Sequence, residues 1–179
     1  MLDYAELERL GKEAGFTNIA PLDVSTIELK PEVRDMCREN TCDQYGKSWS
    51  CPPGCGTLEQ CRDRIFSFKE GILVQTVGEL EDELDGEGMM EAEANHKAHF
   101  EALRKTLREM YPKMLPLGAG GCRRCKKCTY PDEPCRFPEE LAPSMEACGM
   151  LILDVCRKNN MKYYYGSSAI AYTSCFLLE

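Results

Sequence analysis

The chain is predicted to fold as an α/β or α+β domain, a small mixed sheet with flanking helices and a cysteine-rich metal-binding loop lobe. Three observations predict it. Amphipathic helical segments alternate irregularly with short apolar runs of strand length. The 179 residues are 43 % hydrophobic and 29 % charged, enough for one ordinary core, so residues 1–179 read as a single domain. Most of the twelve cysteines fall in two stretches rich in glycine and proline, where the periodic pattern breaks down.

The elements follow in order. Residues 3–14 form a short helix with Leu7, Leu10 and Ala14 on one side and Gly15 as its stop. Residues 18–29 are extended, with Val24, Ile27 and Leu29 as apolar contacts. Pro31 opens a helix that delivers Cys37, and residues 40–56 are a loop of Gly, Pro and Cys. Thr57-Leu-Glu-Gln60 has the form of a capping box. The helix it starts places Leu58, Cys61, Ile65 and Phe68 on its buried face and ends by Gly71. Ile72 to Val77 is a strand, and Glu79 to Glu87 a solvated acidic turn.

A long helix covers about residues 87–110, with Met89, His96, Phe100, Leu103, Leu107 and Met110 in one stripe. Residues 116–142 form the cysteine-rich loop. A further helix starts near Ser144 and turns Met145, Cys148, Ile152 and Cys156 inward. Lys162 to Leu178 is expected to be two strands around Gly166-Ser-Ser168.

Within the loop, Cys122-Arg-Arg-Cys125-Lys-Lys-Cys128 and Cys135 bring four thiols close along the chain. A [4Fe–4S] cluster needs one thiolate for each of four irons, and this spacing suits a wrap around one cubane. Gly118-Ala-Gly-Gly121 before the motif, and Pro131, Pro134 and Pro138 within and after it, suit a tight wrap. Zinc is the alternative metal, although its structural sites usually join two Cys-x-x-Cys knuckles from separate loops. The pattern also departs from the bacterial ferredoxin run, because six residues separate Cys128 from Cys135.

The other cysteines divide by periodicity. Cys61, Cys148 and Cys156 lie on apolar helical stripes and Cys175 in the last strand, so these four read as core residues. Cys61 is the least secure of them, because it closely follows other thiols and can replace Cys55 as a ligand. Cys37, Cys42, Cys51 and Cys55 remain as a second group, in a loop where Pro52 and Pro53 remove N–H donors and Gly54 and Gly56 permit a close turn. They are the candidates for a second [4Fe–4S] cluster.

Composition excludes several functions. The net charge of −8 speaks against a nucleic-acid partner. The acidic, amphipathic start lacks the pattern of a secretory signal, and no run approaches a membrane span. A cytoplasmic protein with reduced thiols is expected, with no nucleic acid and no membrane as partner. The one basic cluster is Arg123, Arg124, Lys126 and Lys127. It either balances an anionic cluster or docks an acidic redox protein partner.

Almost the whole chain resembles an uncharacterised family of small, cysteine-rich predicted metal-binding proteins, found mainly in anaerobic bacteria and archaea. The residues that carry the resemblance are Cys42-Asp-Gln-Tyr-Gly-Lys-Ser-Trp-Ser-Cys-Pro-Pro53, Cys55-Gly-Thr-Leu-Glu-Gln-Cys61 and Val77-Gly-Glu-Leu-Glu-Asp82. Glu133-Pro-Cys-Arg-Phe-Pro138 and Ser144-Met-Glu-Ala147 complete them. The resemblance implies metal binding and an anaerobic setting, and no particular reaction.

Other groups add little. His96, on the apolar stripe, reads as a core histidine bonded to a carbonyl, with a proton donor or extra ligand as the sharper alternative. Trp49 and Tyr163-Tyr-Tyr165 read as packing. Gly118-Ala-Gly-Gly121 lacks the Lys-Ser/Thr of a phosphate loop. The leading expectation is therefore a carrier of one or two [4Fe–4S] clusters with an electron-transfer or redox-support role. An enzyme whose three-cysteine cluster leaves one iron open, and a structural zinc protein, are the alternatives.

Overall fold

A computed structural model describes all 179 residues. Helix α1 spans Tyr4–Ala14, with the Asp3 carboxylate capping the Glu6 N–H and Gly15 ending it in the left-handed region at φ 109°. Strand β1 (Asn18–Asp23) leads through a 3-10 turn to α2 (Pro31–Arg38), and α3 (Leu58–Ile65) starts on the Thr57/Gln60 capping box. Strand β2 (Glu70–Glu79), the long helix α4 (Gly86–Met110) and the short strand β3 (Met114–Leu117) follow. After the cysteine loop come a 3-10 turn at Glu146–Cys148, helix α5 (Ile152–Lys158) and strand β4 (Ala169–Leu178).

The four strands form one sheet in the order β1-β2-β4-β3. Every ladder is antiparallel, so the chain is α+β and its sheet is not mixed in strand direction. The alternation of a strand divides its residues between two faces. Ile72, Val74, Phe176 and Leu178 meet Leu7 of α1 and Phe100, Leu103 and Leu107 of α4. Leu73, Cys175 and Leu177 face the other way, onto Ile65, Met145, Met150, Ile152 and Val155. The domain thus has three layers, with β2 and β4 apolar on both faces because both are covered.

Three expectations need correction. The helix expected from Ser144 is broken: Gly149 turns left-handed at φ 87°, and Leu29 and Met150 form an antiparallel bridge beside it. A Cβ at Gly149 would lie 2.7 Å from Leu58 Cδ1, so the break is built into the packing. The tail is one strand, β4, because its two edges are already paired with β2 and β3. Residues 162–168 pack instead through side chains, with the Tyr165 hydroxyl donating to Gln75 Oε1 at 2.7 Å. The sequence also missed β3, which takes Pro116 and Leu117 from the start of the expected loop. Pro116 is tolerated there because β3 is an edge strand.

Candidate metal centre

The cysteine loop is closed at its base by backbone bonds. The Gly118 N–H donates to Pro143 O at 2.8 Å and the Met145 N–H to Gly118 O at 3.0 Å. Between them the chain makes a long excursion with hardly any apolar contact of its own, and no residue of 118–142 is buried. Polar and aromatic ties hold it instead. Arg136 Nη1 donates to Lys127 O at 2.8 Å, Arg124 pairs with Glu140 and lies over the Phe137 ring, and Trp49 Nε1 donates to Glu133 O at 3.1 Å.

Cys122, Cys125, Cys128 and Cys135 are each half-buried and line one small cavity, closed on its other side by Ser48, Trp49 and Ser50. Burial pushes the Cys122 thiol up, and the three other thiols of the loop add to the push. No group of three or more His, Cys, Asp or Glu side chains is placed to hold a metal ion. Four soft thiols around a common cavity are a donor set that suits an iron–sulfur cluster.

The two cysteine stretches adjoin. Ser50 Oγ accepts the Cys122 N–H at 2.9 Å, and the sulfur of the next residue, Cys51, is 3.4 Å from the position a Cβ would take on Gly121. Trp49 meets Tyr130 edge to face at 4.9 Å between centroids. Gly54 allows this approach, since a Cβ there would lie 2.4 Å from Ser48 O and 2.9 Å from the Tyr130 ring.

The second group of thiols is arranged differently from its order in the chain. Cys37, from α2, is half-buried and feels the charges of Cys42 and Cys51. Cys42 is exposed and Cys51 buried. Cys55 lies near Cys51 but turns toward Cys61 and Cys148, within hydrogen-bonding reach of Cys61, and its thiol points at Ala147 O at 3.7 Å. Cys148 and Cys55 hold the Cys61 thiol well below its usual range, helped by Arg64 Nη2 at 3.3 Å, while the same contacts push Cys55 and Cys148 up. Arg34 Nη1 sits 3.8 Å from the same sulfur. Cys61, Cys148, Cys156 and Cys175 are all buried in the core, as periodicity suggested.

Sequence reasoning missed Glu146. Its Oε2 is buried without a hydrogen-bond partner, and burial pushes its carboxyl above the usual range. A signal was present: Glu146 is the one charged residue in the run from Ala142 to Leu153. His96 was placed correctly in the core, but its partners are hydroxyls: Nδ1 is 3.0 Å from Thr76 Oγ1 and Nε2 2.7 Å from Ser174 Oγ. Burial, with the charges of His99 and Lys97, lowers its pKa to about 3, so it is neutral. It lines a cavity of about 400 Å³ between α4 and Gly118–Cys122, together with Lys97, Phe100 and Arg123.

A family model described as "Predicted metal-binding protein (DUF2284)" matches residues 20–178. The chain belongs to this family. The match spans both cysteine stretches, β2, β3, β4 and most of β1, and the twelve cysteines fit the metal-binding role that the description predicts. Neither the curated proteins nor the solved structures contain a match. No helix is long and apolar enough to cross a membrane.

Proposed function

We propose that this metal-binding protein carries a [4Fe–4S] cluster on Cys122, Cys125, Cys128 and Cys135 and serves electron transfer or redox support in an anaerobic cytoplasm. One observation carries the reading: four thiols, brought by a single loop, line one cavity. Bound there, the cluster would supply one-electron chemistry. The protein's part is to hold it: Trp49 and Phe137 shield it, and the exposed Arg123, Lys126 and Lys127 offset its negative charge. Lys126 and Lys127, which have no ion pair, offer a docking patch to an acidic redox protein.

A second cluster on Cys37, Cys42, Cys51 and Cys55 belongs to the same proposal. The position of Cys55 favours an enzymatic variant of it. With Cys55 drawn toward Cys61 and Cys148, three thiols remain to hold a cluster, and one iron is free for other ligands.

Metal, sulfide and spectroscopic analysis of anaerobically purified protein tests the reading. Iron with acid-labile sulfide, and a brown colour that Cys125→Ser diminishes, is the expected result. Stoichiometric zinc without iron, in protein made with iron in excess, would replace the cluster by a structural zinc site.

A further inference from the structure

Four hydrogen-bonding side chains form a line between α4 and the sheet. His99 Nδ1 is 3.1 Å from Thr76 Oγ1, Thr76 Oγ1 is 3.0 Å from His96 Nδ1, and His96 Nε2 is 2.7 Å from Ser174 Oγ. Thr76 of β2 and Ser174 of β4 are buried, as is His96, and Phe16 packs edge-on against both imidazoles. At one end His99 is half-buried, and its Nε2 bonds nothing in the protein yet is not a buried atom, so it reaches solvent. The other end is the floor of the cavity of about 400 Å³, which His96 and Ser174 both line.

Another wall of that cavity is main chain. Gly118 to Gly121 line it, and the N–H groups of Ala119, Gly120 and Gly121 bond no other backbone group. Gly120 is left-handed at φ 72°, and successive N–H groups in such turns gather into an anion-binding hollow. Charge points the same way. Lys97, Arg123 and Arg124 line the cavity with Glu101 and Glu140. Glu93 is shared by Lys97 at 2.6 Å and Arg123 at 3.3 Å, while Glu101 pairs with Arg104. Four cations thus stand against three carboxylates, and Phe100 and Ala142 add an apolar side.

We propose that this cavity binds a small organic acid as its carboxylate, and that the bound carboxylate sets the hydrogen-bond direction of the whole line from Ser174 to His99. A carboxylate only accepts, so the Ser174 hydroxyl donates to it and Ser174 Oγ accepts from His96 Nε2–H. A neutral imidazole has one N–H, so His96 Nδ1 accepts from the Thr76 hydroxyl, and Thr76 Oγ1 accepts from His99 Nδ1–H. The ligand thereby fixes one tautomer of each histidine. The line is also a proton path. A ligand that takes the Ser174 proton draws those of His96, Thr76 and His99 along by one place each, and His99 Nε2 refills from solvent with both rings neutral at the end. Cys122 lines this cavity and the thiol cavity alike, so the ligand lies beside the loop cluster of the reading above. None of the groups that hold the carboxylate is a thiol, so binding is expected whichever metal the loop carries.

The chain has only two histidines, so nitrogen NMR of the imidazoles reads both in the full-length protein, purified anaerobically with its metal. The measurement is made at about pH 8, where both rings are neutral. Benzoate is the probe and benzamide its uncharged match. Saturating benzoate should bring His96 to the Nε2–H form and His99 to the Nδ1–H form, and benzamide should do neither. A Cβ on Gly118 meets nothing within 4 Å, so Gly118→Leu narrows the cavity without a clash and should abolish the response. Ser174→Ala should weaken benzoate about tenfold through loss of one hydrogen bond to a charged acceptor. Thr76→Val should keep the His96 response and lose that of His99, whereas Thr76→Ser keeps both. No response to benzoate, equal shifts with benzamide, or a response that survives Gly118→Leu would overturn the site. A His99 response that is missing in the parent, or persists in Thr76→Val, would overturn the line. Iron and sulfide analysis of the same sample tests the cluster separately, so either reading can fail alone.

Discussion

The sheet and the cysteine loop are built on opposite principles. In β2 every residue from Gly71 to Thr76 is buried, and in β4 every residue from Thr173 to Leu178. From Gly118 to Ala142 no residue is. The first region is held by apolar surface removed from water, each large side chain contributing about 1.5–3 kcal/mol. The second is held by a handful of hydrogen bonds, four ion pairs and the cavity at which its thiols meet. Apolar residues at alternating positions make a body that needs no ligand. A loop with four cysteines and few large apolar groups has little to hold it without one.

The largest effect that would break this contrast is metal loss. Structural thiolate sites contribute on the order of 10 kcal/mol to the segments they order. Cys125→Ser should therefore open residues 118–142 to protease while far-UV circular dichroism shows α4 and the sheet intact. Equal resistance in the variant and the parent would show that the hydrogen bonds of the loop suffice.

The converse change belongs to the body. Phe176 is fully buried and stacks on Phe100 with ring centroids 4.7 Å apart. Phe176→Ala should cost about 3–5 kcal/mol and lower the melting temperature, with metal content unchanged. Loss of metal at temperatures where the variant is still folded would mean that the two regions are more tightly coupled than their packing shows.

A smaller effect comes from His96, which is neutral in the fold at a pKa of about 3 and gains a proton below pH 6.5 once unfolded. The unfolded chain then binds more protons, so His96 favours folding fully above pH 6.5 and progressively less as pH falls toward 3. Between pH 6.5 and 5 the loss is about 2 kcal/mol. Denaturant titrations of the parent and His96→Gln at both pH values should show that slope reduced in the variant. An unchanged slope would place the titration elsewhere.

The smallest effect expected is at the edge of the body. Gly15→Ala puts a side chain in the left-handed region and within 2.5 Å of the His99 ring. A loss of about 1–2 kcal/mol follows from the backbone alone. Calorimetry that shows no shift in melting temperature would mean α1 is loosely docked.

Local chemistry was legible in the sequence where neighbours in the chain decide the outcome. Asp3 and Gly15 bound α1, Thr57 and Gln60 start α3, and Cys122, Cys125, Cys128 and Cys135 line one cavity as their spacing suggests. Legibility failed where distant segments decide. Met114–Leu117 becomes a strand only because β4 offers an edge, and Gly149 breaks a helical pattern to meet Lys30 and Leu58. Cys148 reads as a core residue by its stripe, and it is one. The stripe holds no hint of Cys55 and Cys61, which come from the preceding loop and from α3. Glu146 could have been flagged as an acid in an apolar run, but only the fold shows that its Oε2 is buried without a partner.

The contrast between body and loop is tested most directly by hydrogen exchange on the full chain, purified anaerobically and compared before and after chelation. Protection should collapse in residues 118–142 and around Cys37 to Cys55, while β2, β4 and α4 keep theirs. Equal protection in both samples, or a loss spread evenly over sheet and loop, would contradict it.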